Sequence, residues 1–247
     1  MPKLLPRTLF ALAALACTAP TAPAEEPFRL DLELGAAWQS RNDFAIPPEG
    51  GTLVRLGDHG PFAAGRVALV WHGGERWSLR LLAAPLAIDS EFVPESEVHF
   101  QGVAFPAGVP LVADYAFNSY RLTWFHRFAA RGHWALRAGA TLNVRDAEIA
   151  LSGSGVSAAK DDLGVVPLLY GAARWSPNPR FAVELEADAL AASQGRAIDA
   201  SLRGELSVSE RTRVYAGYRV LDGGADNDEV LTFATFHFVV AGLSVSF

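Results

Sequence analysis

The sequence predicts an all-β chain closed into a transmembrane antiparallel up-and-down β-barrel of about ten strands, with eight as the alternative count. Three observations carry that reading. A two-residue hydrophobic period recurs in ten segments. The connections between those segments alternate short and long. Trp71, Trp77, Trp124 and Trp134 sit beside the short ones, where an interfacial aromatic girdle belongs.

The chain begins with what reads as an export signal, residues 1–24, leaving 25–247 as the barrel domain. Lys3 and Arg7 form a short positive region, and Leu9 to Cys17 is an apolar run too short to span a bilayer. Ala22-Pro23-Ala24 supplies small residues for cleavage before Glu25. Ala14-Leu15-Ala16-Cys17 is a loose lipobox, with Ala14 where Leu is expected. Cys17 is the sole cysteine, so the mature chain forms no disulfide and no Cys-based metal site.

The first segment sets Phe28, Leu30, Leu32, Leu34, Ala36 and Trp38 on one face and Arg29, Asp31 and Glu33 on the other. In the second, Val67, Leu69 and Trp71 oppose Arg66 and His72; in the third, Trp77, Leu79 and Leu81 oppose Ser78 and Arg80. The fourth opposes Tyr120, Leu122 and Trp124 to Ser119, Arg121 and Thr123. The fifth opposes Trp134, Leu136, Leu142 and Val144 to Arg137, Thr141, Asn143 and Arg145. The sixth, about 165–175, is apolar on both faces and its orientation stays open. The seventh to ninth set aliphatic residues against Glu184, Glu186 and Asp188, then Asp199, Arg203 and Glu205, then Arg213, Tyr215 and Arg219. The tenth carries Val239, Ala241, Leu243, Val245 and Phe247 on its apolar face.

The predicted short turns are 72–76, 128–133, 176–180 and 209–211. The predicted long connections are about 40–60, 88–113, 152–163 and 222–229, with a tight one near 191–196. Such alternation, with both termini on the short-turn side, fits an even-stranded barrel. A soluble sandwich would bury the greasy face instead. Past the signal no apolar stretch reaches 18 residues, which excludes transmembrane helices. Half the residues are hydrophobic and 19% are charged, which argues against disorder. Formal net charge is −6, and setting aside Lys3 and Arg7 makes it −8. An acidic chain is a poor candidate for general nucleic-acid binding.

The last strand, alternating from Val239 to the terminal Phe247, resembles the C-terminal signature of bacterial outer-membrane barrels that the assembly machinery recognises. The chain is also similar to a group of uncharacterised outer-membrane barrel proteins. That likeness rests on Trp38-Gln39-Ser40-Arg41-Asn42-Asp43, Phe117-Asn118-Ser119-Tyr120-Arg121-Leu122 and Arg145-Asp146-Ala147-Glu148-Ile149. Gly217-Tyr218-Arg219 and Gly223-Gly224-Ala225-Asp226-Asn227-Asp228 complete it. The resemblance implies a fold and a Gram-negative outer-membrane address, with Phe247 as the assembly signal. It implies no activity and no catalytic residue.

The inward ionic residues form the first candidate site: Asp31, Glu33, Arg66, Arg80, Arg121, Arg137, Glu184, Glu186, Asp188, Arg203 and Arg219. Arg76 and Arg145 belong to the same inward set by alternation. Around eight strands a lumen fills with side chains, and buried charges must pair. The expected outcome is a plug of charge-paired side chains; a narrow small-solute pore is the alternative. The second candidate is an outer rim: Arg41, Asp43, Arg145, Asp146, Asp226 and Asp228, with Glu148, Asp222 and Glu229 nearby. Carboxylates suit a hard cation such as Ca²⁺, but Gly223–Asp228 does not match an EF-hand loop and reads as a solvated turn. Arg41 and Arg145 would pair with these acids or meet lipopolysaccharide phosphates. The apolar connection 88–113 would extend the barrel or fold over its mouth.

No G-x-S-x-G, H-E-x-x-H or Gly-rich phosphate loop occurs. Of the six histidines, His99 with Asp89 or Asp114 is the one external pairing to consider for catalysis. The expected function is a non-catalytic, monomeric outer-membrane barrel with a structural or surface-binding role, no metal and no cofactor. Its partners would be membrane lipid, lipopolysaccharide and the barrel-assembly machinery, with no nucleic acid. A membrane hydrolase acting on lipid or peptide is the alternative.

Overall fold

The computed structural model describes residues 26–247. The expected signal segment, with Lys3, Arg7 and Cys17, lies outside the described residues. The strands are β1 (Phe28–Ala45), β2 (Val54–Leu56), β3 (His59–His72), β4 (Trp77–Ala84), β5 (Ala87–Phe92), β6 (Val98–Phe100) and β7 (Val103–Phe105). They continue as β8 (Leu111–Arg131), β9 (Trp134–Gly153), β10 (Val156–Asn178), β11 (Phe181–Ala192), β12 (Gly195–Ser207), β13 (Thr212–Asp226) and β14 (Leu231–Ser246).

Ten staves close into one antiparallel barrel in the order β1, β3, β4 with β5, then β8 through β14, with β14 pairing back to β1. β4 and β5 form one stave. Both pair with β8, and Pro85 separates them because proline cannot donate to the ladder. In hydrocarbon every backbone group needs a partner within the protein, and closure removes the sheet edges. The seam is completed at the termini: Phe28 N donates to Phe247 O at 3.0 Å and Phe247 N to Phe28 O at 2.8 Å. Their rings stack at 5.9 Å.

The two-residue period sorts the faces. Leu34, Leu163 and Leu169 point outward at 74%, 73% and 67% exposure. Trp71, Trp77, Trp124, Trp134 and Trp175 gather at the short-turn end, with Trp71 and Trp77 edge to face at 5.2 Å. The sixth predicted strand resolves with Leu168, Tyr170 and Ala172 inward and Val165 and Leu169 outward. The phenol of Tyr170 donates to Glu186 at 2.9 Å, so its polar tip belongs in the lumen.

The predicted long connections are shorter than expected. β9 and β10 run through 152–163 and turn at Ser154-Gly155, both at positive φ. β1 and β13 likewise continue to Ala45 and Asp226. Beyond the apolar belt both faces of a strand meet water, so alternation vanishes although the hydrogen-bond ladder persists. The 88–113 stretch holds β5 and the β6–β7 hairpin, which folds over the mouth. Phe100 and Phe105 are 1% and 0% exposed and pack with Phe44, Ile46, Val54, Leu56, Ile88 and Leu111. Thr52 N to His99 O at 2.8 Å and Gln101 N to Ile46 O at 2.9 Å tie the hairpin to the 46–53 connection. The lumen is therefore ionic toward the short-turn end and apolar toward the long-loop end.

Candidate functional site

The strongest concentration of chemistry is the lumen. Arg80 on β4 reaches Glu186 at 2.5 Å and Asp188 at 3.1 Å, both on β11. Arg121 on β8 lies 3.2 Å from Asp188 and 2.7 Å from Asp199 on β12. These pairs join staves that are not neighbours, so they cross the lumen. Glu184 gathers Arg137, Arg203 and Arg174, the last at 3.4 Å. Glu205 takes Arg174 at 2.5 Å and Arg203 at 2.9 Å. Arg219 binds Asp199 through two nitrogens at 2.6 and 2.7 Å. Arg66 meets Glu33 at 2.7 Å, and Arg29 meets Asp31 at 3.0 Å.

Aromatic rings complete the packing: Arg80 lies over Tyr170, Arg203 over Tyr215 and Arg219 over Phe238, at 5.0, 5.0 and 4.7 Å. Asp199, Glu205 and Arg174 also belong to this network, beyond the predicted members. The first two stood on the ionic face of their segment, whereas Arg174 was hidden by the apolar composition of both faces of β10. Arg76, read as inward by alternation, lies exposed in the turn after β3, because the strand ends at His72.

The rim residues do not form one site. A bulge between Gln39 and Arg41 turns Arg41 outward, where it pairs with Asp43 at 2.7 Å and lies 5.2 Å over the Phe233 ring. Arg196 covers the same ring at 5.1 Å and pairs with Asp222. Arg145 points into the mouth and pairs with Asp162, which replaces the predicted partners. Asp146 accepts from Asn118 at 3.3 Å on β8. Asp226, which ends β13, and Asp228, in the β13–β14 turn, are both exposed; in that turn Asn227 accepts from Glu229 N and Val230 N at 2.9 and 3.0 Å, an Asx turn. Glu148 faces Asp161 in register above the apolar belt. The hydrogen bond between them and the nearby negative charge raise the Glu148 pKa above its ordinary 4.5.

His99 pairs with Glu97 at 3.0 Å rather than with Asp89 or Asp114. A different histidine meets a serine. His237 Nε2 lies 2.8 Å from Ser40 Oγ, and its Nδ1 bonds the Tyr218 hydroxyl. These three residues come from β1, β13 and β14 and face outward. The third member is a phenol, not a carboxylate.

Between the apolar plug and the upper ends of β9, β10, β12 and β13 lies a cavity of about 70 Å³ that opens to solvent. Its lining includes Phe117, Arg145 to Ile149 in part, and Gly223 to Ala225. Three of the segments that carry the family resemblance therefore meet at this mouth.

No family model and no curated protein matches the chain. Among solved structures it is similar to the outer-membrane protease OmpT of Escherichia coli, at 10% identity over 91% of this chain and 98% of that one, with a TM-score of 0.54. The chain has the fold of a bacterial outer-membrane barrel. The transport unit of the autotransporter AIDA-I of E. coli matches at 8% identity over 91% and 92%, with a TM-score of 0.47. Neisserial surface protein A matches at 10% over 89% and 97%, with a TM-score of 0.38. At such identities the likeness is one of fold.

Proposed function

We propose that this outer-membrane barrel has a closed, non-conducting lumen and acts through its surfaces at the long-loop end. The observation that carries the reading is the set of Arg–carboxylate pairs crossing between non-adjacent staves. An open pore needs a water-filled path, and these side chains together with Phe100 and Phe105 occupy the path along the axis. The placement in a Gram-negative outer membrane, long-loop end outward, is supported by the apolar belt and the girdle at the short-turn end. Arg41 and Arg196, outward above that belt, suit contact with lipopolysaccharide phosphates. Phe247 suits recognition by the assembly machinery, since it sits on the closing seam. The barrel works as a monomer without metal or cofactor. Cell fractionation tests the placement: the protein should sediment with outer membranes and show heat-modifiable gel migration. Recovery from the soluble periplasm would reject it.

A second reading, a membrane hydrolase, is favoured by one contact: Ser40 Oγ beside His237 Nε2. In that case His237 would take the Ser40 proton as the hydroxyl attacks an ester carbonyl. A fluorophosphonate probe separates the readings. Labelling lost in Ser40→Ala favours the hydrolase; an unlabelled wild type leaves the trio as a hydrogen-bonded chain on the outer wall.

A further inference from the structure

The lumen charges cancel in its middle and not at its short-turn end. In the middle, Arg66, Arg80, Arg121 and Arg219 meet Glu33, Glu186, Asp188 and Asp199, four against four. Nearer the short turns, Arg137, Arg174 and Arg203 share only Glu184 and Glu205. Arg127, opposite Arg137 in register, donates to the backbone oxygen of Glu75 and to no carboxylate among the described residues. The turns add Arg76, Arg131, Arg180 and Arg211 against Glu26, Glu75 and Glu210, so they supply no compensating negative charge. On a chain that is acidic as a whole, this end is basic.

Arg213 on β13 is the extreme case. Its alternation with Tyr215 and Arg219 points it inward. In register it stands between Ser207 of β12 and Ser244 of β14. It is half-buried, yet it makes no hydrogen bond and no ion pair with any described residue. Of the charges around it Arg29 acts most strongly, by repulsion, and Arg174 adds to that. Glu205 and Asp31 attract it only from within pairs they already make. Both neighbouring arginines keep donors to spare. Arg29 bonds Asp31 through Nε and Nη2, and Arg174 uses Nη1 alone. The Arg174 side chain is 21% exposed, so small solutes reach this cluster from the short-turn side.

From these observations we infer that the short-turn end of the lumen binds a phosphate group, held by Arg213 and the spare donors of Arg29 and Arg174. Arg137, Arg174, Arg203 and Arg213 against Glu184 and Glu205 leave a surplus of two positive charges, which one carboxylate or chloride ion does not cancel. A phosphate group carries about two negative charges at pH 7 and three strong acceptor oxygens. Planar guanidinium forks match such oxygens in pairs, and Ser207, beside Arg213 in register, brings a hydroxyl donor. Without the anion the like charges repel one another; with it, the basic end of the plug becomes neutral. The source is free inorganic phosphate or a small phosphomonoester. The site lies at the opposite end from the surfaces proposed above, so failure of one reading leaves the other standing.

The test is calorimetric titration of the full mature chain, in zwitterionic detergent, with inorganic phosphate and in parallel with glycerol 3-phosphate. Sodium acetate and sodium chloride at matched ionic strength are the controls. At least one of the two phosphates should bind saturably, and the tighter of them names the source. Arg213→Gln should weaken that binding by about tenfold or more in protein whose heat-modifiable migration proves it folded. If that variant does not fold, Arg213→Lys, which keeps the charge and loses the fork, should weaken binding in the same direction. A second readout separates binding from a merely structural role. In phosphate-free buffer Arg213→Gln should raise the urea midpoint, because a repelled charge is gone, and added phosphate should raise the midpoint of the wild type alone. Binding of neither phosphate would overturn the inference, as would acetate or chloride binding equally well. Phosphate affinity unchanged in a folded Arg213 variant, or a urea midpoint lowered by Arg213→Gln in phosphate-free buffer, would overturn it too.

Discussion

The guanidinium of Arg80 on β4 lies 2.5 Å from the carboxylate of Glu186 on β11, with three staves between them round the wall. That contact spans the barrel. Asp188 adds a second bond to the same guanidinium at 3.1 Å, and Tyr170 both lies under it and donates to Glu186. A side chain held in this way cannot swing aside without taking its charge from both carboxylates.

Truncating one partner of such a network should therefore be costly. Glu184→Ala would strand Arg137 and weaken the hold on Arg174 and Arg203. Loss of about 3–5 kcal/mol is expected, read as a lower urea midpoint for unfolding from vesicles. Arg80→Ala should behave alike, and Arg80→Lys should rescue it only in part, because an ammonium lacks the planar fork. A change below about 0.5 kcal/mol, the range of neutral surface substitutions, would contradict the network.

The apolar plug at the long-loop end makes a separate prediction. Phe105 is fully buried against the cluster that closes the mouth. Phe105→Ala should destabilise by about 3–5 kcal/mol if the hairpin folds with the barrel. It should also expose the 94–110 stretch to protease first. Equal protease resistance in mutant and wild type would show that the hairpin is held by something other than this packing.

Much of this was legible before any coordinates. The period of two located all ten staves, and the sign of the odd or even positions placed Glu184, Glu186 and Asp188 on the ionic face. Partner choice was not legible. Whether Arg80 meets Glu186 or Glu33 depends on strand tilt and stagger, which residue types do not encode. The extension of β9 and β10 above the belt escaped notice because Lys160, Asp161 and Asp162 are consecutive charges with no apolar face to mark a strand. Ser40, Tyr218 and His237 come from three strands, and their meeting follows from register alone.

Acidity should act on the rim through Glu148. Its pKa is raised in the fold by the hydrogen bond with Asp161 and by like charge. A raised folded pKa favours the protonated state, so this contribution is present at low pH and is lost as pH rises past the folded value. Glu148→Gln removes the repulsion and should raise the melting temperature at pH 7. The gain should vanish below the carboxyl's ordinary 4.5, where Glu148 is protonated anyway. A gain independent of pH would exclude the carboxylate pair as its cause.

Phe247 offers an assembly test. Its backbone completes the seam with Phe28, and its ring stacks there. Deleting it removes two hydrogen bonds and the terminal aromatic together, whereas Phe247→Ala removes only the ring. Both should lower the yield of heat-modifiable barrel in cells, the deletion more. Undiminished assembly of the deletion would show that the seam closes without it.

The central claim is that the lumen is closed by charge pairs and an apolar cap. Single-channel recording of the purified chain in planar bilayers tests it most directly. The wild type should give no steady conductance at moderate voltage, and Arg80→Ala combined with removal of the 98–105 hairpin should introduce flickering currents. A large, stable open channel in the wild type would contradict the account.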